Sequence, residues 1–302
     1  MKNLSEWLPV SLEDRALFVS HYLEYPQVHS DNTFVNMVVW NSYANYSFLF
    51  ENDLLIIAST IDEKTVYRYP VGPDNPEILK RLLRLCIESK SDEPLVIFGE
   101  NDKTRILSHY PNLVLHPARD YFEYVYRSED LASLSGGKYL TIRRQLHKFK
   151  RNCQYSVEEV VPENLDEVHE FLVRWCEWKG CEQEAFLSYE RDAVFFAVEH
   201  FFSLGLSGIL IRVRGRVSSV AIYEPLNPDT IVVHFEKGHS DCEGVYRAIN
   251  VETALAVKDK YTYINRESDM GVDGLREAKR RYYPDHMVEV YTIPRESIKN
   301  CL

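Results

Sequence analysis

Two short stretches bring together side chains able to hold an anion and move a proton. Residues 264–284, INRESDMGVDGLREAKRRYYP, crowd Asn265, Arg266, Glu267 and Asp269 into five positions and follow them with Arg276, Lys279, Arg280 and Arg281. Residues 234–250, HFEKGHSDCEGVYRAIN, end an apolar run on Glu236 and Lys237 and then start a helix after Gly244. Glycine at a helix start lets another backbone come close, and the free N–H groups there favour an anion. A carboxylate among cations suits proton transfer with charge stabilisation.

Each feature also has a plainer explanation. Asp269 or Asp273 can cap the helix that follows, and Lys279 to Arg281 suit its C-terminal dipole. Leu275, Ala278 and Tyr282 form the apolar stripe of that helix. Glu236 and Lys237 can be a surface pair at a strand end. His234, flanked by apolar residues, reads as a satisfied core histidine. In residues 138–151, KYLTIRRQLHKFKR, the side chains of Tyr139, Ile142, Leu146 and Phe149 share one helical face, leaving Arg144, Lys148 and Arg151 opposite. That second face is either solvated or tracks phosphates. Trp175 and Trp178 read as helix packing residues.

The elements that must position these residues follow from periodicity. The first half predicts helices near 12–23 and 32–43, strands YSFLF, DLLIIAST and TVYRYP, an amphipathic helix over 75–90, strand PLVIFG, a helix near 102–109 and strand YFEYVYR. The second half repeats this order after the basic helix and an extended CQYSVEEV. Helices near 164–179 and 184–203 lead into strands GLSGILIRV, RVSSVAIYE and TIVVHFE, a helix near 244–259, strand TYIN, a helix near 272–282 and strand MVEVYTI. The expectation is an α/β chain of two similar domains, residues 1–130 and 131–302, each a mixed sheet flanked by helices. A strand–helix–strand stretch in each makes a right-handed parallel crossover. Loops leaving the C-terminal ends of parallel strands form the ligand crevice in such sheets, and both chemistry-bearing stretches fall on those loops in the second domain.

Composition narrows the class. With 302 residues, 45% hydrophobic and 27% charged, the chain can bury a sizeable core. A net charge of −11 opposes wholesale nucleic-acid binding, although the two basic stretches can still guide an anion to one place. No apolar run approaches the roughly 18–20 residues that span a bilayer, and the opening residues lack a signal peptide's apolar core, so a cytoplasmic location is expected. The 6 cysteines show no C-x-x-C pair and are expected to be reduced. P-loop, α/β-hydrolase and zincin motifs are missing, no metal is implied, and the 12 glycines disfavour a Rossmann site.

The segments HFEKG…GVYRAIN and INRESDMGVDGLREAKRRYYP, with WNSYANYSFLF, ARDYFEYVYRSEDLASLSGGKY and RRQLHKFKR, resemble a bacterial family related to the C-terminal domain of phosphatidylglycerol lysyltransferases. The resemblance implies two tandem GNAT-like (acyl-CoA N-acyltransferase-like) domains related to the Fem peptidyl transferases. It implies aminoacyl transfer from aminoacyl-tRNA to an amine or hydroxyl acceptor, which is a small molecule, peptide or lipid. A lipid would be reached from the cytoplasmic surface. The family's C-terminal basic segment is similar to Leu275, Arg276, Lys279, Arg281, Tyr282 and Pro284, which makes those cations candidates for holding a tRNA acceptor end. For such chemistry Glu236 or Glu267 is the candidate base, and Lys237, Arg266, Arg276, Lys279 and Arg281 bind anions. Tyr246, Asn250, Asn265 and Asp269 line the pocket, and Arg144, Lys148 and Arg151 bind polyanion. An acetyl-CoA-dependent N-acetyltransferase, with acyl-CoA as donor, is a competing expectation, weakened because HSDCEGVY offers one glycine and two acids to a pyrophosphate. A non-catalytic module that docks RNA or a partner through the basic helix is the other.

Overall fold

The computed structural model describes residues 7–183, 185–239 and 242–302. The chain runs β1 (Leu8–Pro9), α1 (Arg15–Glu24), α2 (Phe34–Val39), α3 (Asn41–Ala44), β2 (Ser47–Glu51), β3 (Leu54–Ile61), β4 (Lys64–Arg68), α4 (Pro76–Glu88), β5 (Leu95–Phe98), α5 (Gly99–His109) and β6 (His116–Pro117). It continues through β7 (Glu123–Arg127), α6 (Ser128–Ser133), α7 (Leu140–Asn152), β8 (Tyr155–Glu159), α8 (Leu165–Lys179), α9 (Ala185–Glu199), α10 (Phe201–Leu204), β9 (Ser207–Val213) and β10 (Arg216–Asn227). It ends with β11 (Thr230–Gly238), α11 (Val245–Val257), β12 (Tyr263–Ser268), α12 (Asp273–Arg280), β13 (His286–Val288), β14 (Val290–Ile293) and α13 (Arg295–Cys301).

Local signals explain most boundaries. Asn75 caps α4 by accepting the Ile78 N–H at 3.1 Å, Pro76 follows at the first turn, and Ile78, Leu79, Leu82, Leu83 and Cys86 form the buried stripe. Two expected helices are each two. The helix expected over 32–43 breaks at Trp40, and the one over 184–203 breaks at His200, both of which leave helical geometry. Such single-residue breaks carry no glycine or proline signal.

The strands form two mixed sheets of seven, as expected of an α/β chain. The first has the order β1-β2-β3-β4-β5-β14-β6, with β4 and β5 parallel and β14 antiparallel to β5. The second has the order β13-β7-β12-β11-β10-β9-β8, with β11 and β12 parallel and β8 to β11 antiparallel. The last strand of each half therefore departs from the sequence expectation: YFEYVYR lies in the second sheet and MVEVYTI supplies β14 to the first. The compact units run up to Glu123 with 268–272 and 288–302 for the first, and over 124–267 with 273–287 for the second. Glu123 to Tyr126 of β7 are buried on both faces and β14 nearly so, and such a pattern carries no information on which sheet receives the strand.

In the first unit, α4, Ile106 of α5 and Ile298 of α13 pack with Leu95, Ile97, Tyr291 and Ile293. In the second, Ile142, Leu146 and Phe149 of α7 and Ala248, Ile249 and Val251 of α11 share a core with Ile209, Ile211 and Ala221 of the sheet. Cysteine usage differs from expectation. Cys153 pairs with Cys242 and Cys176 with Cys181, while Cys86 and Cys301 are free. The end of α7 brings Cys153 to a partner 89 residues away, and Gly180 in the left-handed region (φ +69°) turns the chain back after α8. Neither closure is visible as a C-x-x-C spacing. Among the described residues no helix is long and apolar enough to cross a membrane.

The strand exchange makes a direct prediction. Ile293 is fully buried on β14, so Ile293→Ala should cost about 2–5 kcal/mol in urea unfolding. The loss should appear as faster hydrogen exchange at Leu95 to Phe98 on β5, which β14 pairs; faster exchange at β9 with β5 unchanged would contradict the topology.

Candidate functional site

In the second unit β11 and β12 are paired in parallel over Thr230–Val232 and Tyr263–Asn265. The candidate residues lie just beyond, where side chains replace the ladder. Arg266 donates from Nη2 to Glu236 Oε1 at 2.9 Å, and Asn250 on α11 donates from Nδ2 to Glu236 Oε2 at 3.3 Å. The Arg266 guanidinium lies over the rings of Tyr126, 5.8 Å from its centroid, and Tyr282, at 5.2 Å. Burial works against its charge, but Glu236 and the two phenols more than offset this and raise its pKa. Arg247 approaches the same Tyr282 ring, donates to its hydroxyl at 3.0 Å and bonds Gln145 of α7 at 3.0 Å. Gly244 (φ +99°) is required here: a Cβ would come within 3.0 Å of Phe149 and 3.1 Å of the Gln145 carbonyl.

One atom of this group stands out. Asn250 is 2% exposed and its Oδ1 has no hydrogen-bond partner. Flipping the amide would set that oxygen against the Glu236 carboxylate, so the assignment with Nδ2 toward Glu236 stands. Glu236 Oε2 thus accepts from Asn250 Nδ2, while Oδ1 on the other side of the same amide has no donor. Thr253, one turn further along α11, also has a buried hydroxyl without a hydrogen-bond partner.

His234 is the functional-looking residue that sequence reasoning took for core. It sits opposite a register shift between Ile222–Phe235 and Tyr223–Val233, a β-bulge that re-aims its side chain. Its Nε2 meets Glu224 and its Nδ1 meets Glu267, each at 2.9 Å. Two carboxylates accept from the ring only if both nitrogens carry protons. Burial opposes that charge, yet the two hydrogen bonds dominate and push His234 up to about 10. Glu267 has φ +57°, its N–H bonds Asn265 Oδ1 at 2.8 Å, and its carbonyl accepts from Lys279 Nζ at 3.0 Å.

The expected residues are therefore brought together in part. Glu236, Arg266 and Asn250 form one bonded group. Lys237, adjacent on the strand, points to the other face of the sheet, where it bonds Glu190 of α9 at 2.6 Å over the Trp175 ring. Tyr246 lays its ring on Gly238, whose Cβ would come within 3.1 Å of it. Lys279 is buried and holds the carbonyls of Arg266 and Glu267. Arg276 is half-buried on α12, and Arg281 is exposed and paired with Glu277. Asp269 belongs to the first unit, is fully buried, accepts the Gly271 N–H at 3.0 Å and pairs with Arg119 at 3.2 Å. Arg144, Lys148 and Arg151 form the exposed face of α7, with Lys148 near Glu243. Ser240 and Asp241 of the EKGHSDCEG loop lie outside the described residues. Sequence reasoning missed Glu224, Glu190 and Arg247; a bulge and a distant helix supply the first two, while Arg247 stood unremarked between Tyr246 and Asn250. Among the described residues no group of three His, Cys, Asp or Glu side chains is placed to hold a metal ion.

The His234 bridge has a pH signature. Its folded pKa lies above the ordinary 6.5, so its contribution to stability is complete below pH 6.5 and is lost as pH rises through about 10. His234→Ala should cost about 3–5 kcal/mol at pH 6, because it leaves two carboxylates facing each other. Urea midpoints measured from pH 6 upward should show the gap to wild type narrowing across that window; a constant gap would remove the ion-bridge interpretation.

The family model "Phosphatidylglycerol lysyltransferase, C-terminal" matches residues 23–293. A conserved protein of unknown function from Bacteroides thetaiotaomicron VPI-5482 is similar in structure, with 27% identity and a TM-score of 0.88 over 96% of this chain and 99% of that one. L-PGS from Bacillus licheniformis follows at 14% identity and a TM-score of 0.66, covering 95% and 93%. FemX gives 11% identity and a TM-score of 0.55, covering 98% and 99%. No curated protein matches the chain. The fold is the tandem GNAT-like one that the family resemblance implied, with the two mixed sheets expected from the repeated element order.

Proposed function

The chain belongs to the phosphatidylglycerol lysyltransferase C-terminal family, and from that premise we propose an acyl- or aminoacyltransferase that uses aminoacyl-tRNA as donor and an amine or hydroxyl as acceptor. The observation that carries this reading is the unpartnered Asn250 Oδ1 beside Glu236. An acceptor amine or hydroxyl is the donor that pair lacks. Asn250 orients its N–H or O–H, and Glu236 takes the proton as the new acyl bond forms and the ester bond to the donor breaks. Arg266 holds the Glu236 carboxylate in place until then.

The other candidates divide by their surroundings. Glu267, bound to the His234 imidazolium, positions the end of β12 rather than accepting a proton. Lys279 acts with it by holding two carbonyls. Arg276 and Arg281, with Arg144, Lys148 and Arg151, supply the electrostatic attraction for a polyanionic donor, and Gln145, Arg247 and Tyr282 join the two basic segments. Tyr246 and Lys237 shape the opposite face of β11.

Two experiments test this. Asn250→Leu removes the orphaned oxygen, whose burial alone costs about 1–3 kcal/mol, so the variant should fold with little loss of stability. Its transfer from aminoacyl-tRNA should fall by roughly 10- to 100-fold, from loss of orientation. Full activity in Asn250→Leu would overturn the assignment. The second is titration of the wild type with aminoacyl-tRNA, uncharged tRNA and acetyl-CoA in parallel. Arg144→Ala with Lys148→Ala should weaken tRNA binding and flatten the slope of log K against log salt by roughly 1 to 2. Binding of acetyl-CoA alone would favour N-acetylation, and an unchanged salt slope would return α7 to a solvated face.

A further inference from the structure

The first unit holds a cavity of about 230 Å³ that the proposed transfer does not use. It lies past the C-terminal ends of that unit's own parallel strands: β4 runs out through Pro70, Val71 and Gly72, β5 ends at Phe98, and all four residues line it. That is the position where open α/β sheets take ligands. A cavity of about 150 Å³ holds a benzene, while drug-sized ligands need roughly 300 Å³ or more. The volume therefore suits a molecule of a few heavy atoms and excludes a nucleotide or a whole coenzyme A.

The wall behind it is built and internally satisfied. Gln27 bonds the Tyr25 carbonyl at 2.6 Å and accepts from Asn32 at 2.9 Å, and Asn32 in turn accepts from the buried Arg68 at 3.3 Å. His29 stacks on Phe98 at 4.2 Å; its Nδ1 accepts the Asp31 N–H at 3.2 Å, which leaves Nε2 to donate to the Tyr121 carbonyl at 3.1 Å. Glu123, 1% exposed behind it, accepts from the N–H and hydroxyl of Ser30.

Asp102 is different. Its side chain is 24% exposed, makes no hydrogen bond, and has one charged partner, Arg105, at 4.0 Å. Arg105 is itself answered by Asp74 at 3.9 Å, by the Gly72 carbonyl at 3.1 Å and by the face of Tyr69. With Glu24 also on the rim, the lining carries two carboxylates against one cation, Arg105, which Asp74 also claims. We propose that this cavity is a second ligand site, specific for a small organic ammonium ion whose charged nitrogen rests against Asp102. Phe98 and Tyr25 add aromatic lining beside it.

Binding then carries a proton linkage. Desolvation raises the Asp102 carboxyl to about 7, against the lowering effect of Arg105, so it must lose its proton to pair with an ammonium. The groups facing it are Arg105 on its own helix, Glu24 and Tyr25 at the end of α1, His29 on the following loop, and Asp74 through Arg105.

The test is calorimetric titration of the full chain with n-butylammonium and 1,4-diaminobutane, and with sodium butyrate and inorganic phosphate as anionic counterparts. Both amines should bind and neither anion should. Affinity should rise about tenfold from pH 6 to pH 8, following ionisation of Asp102. Asp102→Asn should fold, weaken amine binding at least tenfold and flatten the pH profile. That last result assigns the pH dependence to Asp102. No amine binding at tens of millimolar, binding that survives Asp102→Asn with its pH profile intact, or preference for butyrate or phosphate would each overturn the proposal. Should Asp102→Asn fail to fold, the wild-type pH profile and the amine-over-anion preference decide.

Discussion

The Arg266–Glu236 ion pair stands where the parallel ladder between β11 and β12 has stopped, and most of the candidate site depends on that pair. Two strands that cease to pair leave backbone groups and a gap inside a sheet, where unmet polar groups are costly. Here charged side chains close it. Arg266 and Glu236 bridge the gap, His234 ties Glu267 to Glu224, and Lys279 reaches back from α12 to the carbonyls of Arg266 and Glu267. Each side chain belongs to a different element or strand position, so the opening is held in one shape by bonds rather than by packing alone.

Such an arrangement is a poor way to gain stability. Buried ion pairs roughly offset their desolvation, and apolar replacements are often as stable. What they add is geometry. With Oε1 committed to Arg266, Glu236 presents Oε2 in one direction, and Asn250 sets an unpartnered oxygen beside it. Buried polar atoms usually find a partner, and two of those that do not, Asn250 Oδ1 and Thr253 Oγ1, lie one turn apart on α11. That helix starts at the glycine that lets α7 approach.

Much of this was legible in the sequence. The stripes of α4 and α7, the glycine before α11 and the clustering of Glu236 with Arg266 follow from local periodicity and from where loops leave parallel strands. What was not legible was long-range choice. The apolar pattern of YFEYVYR and MVEVYTI is the same whichever sheet they join, and Cys153 has no local sign of Cys242. Lys237 is another matter, since strand period alone sends it away from Glu236, and treating the two as one charge pair ignored that period. His234 needed a bulge, which shifts the period by one residue and leaves no compositional trace.

The first unit shows how the same topology can serve different chemistry. Its parallel pair is shorter still, Tyr67–Leu95 and Arg68–Val96, so it too has a gap beyond the ladder. There the buried cation, Arg68, is satisfied by the Asp31 carbonyl and Asn32 and lies between the rings of Tyr46 and Phe98, without a carboxylate bridging to the neighbouring strand. The cavity beside Phe98 lies beyond that gap, and Asp102 at the start of α5 is one of the charged groups lining it. Duplication of one α/β unit thus produces two strand-end openings of opposite character, one organised around fixed charges and the other around space.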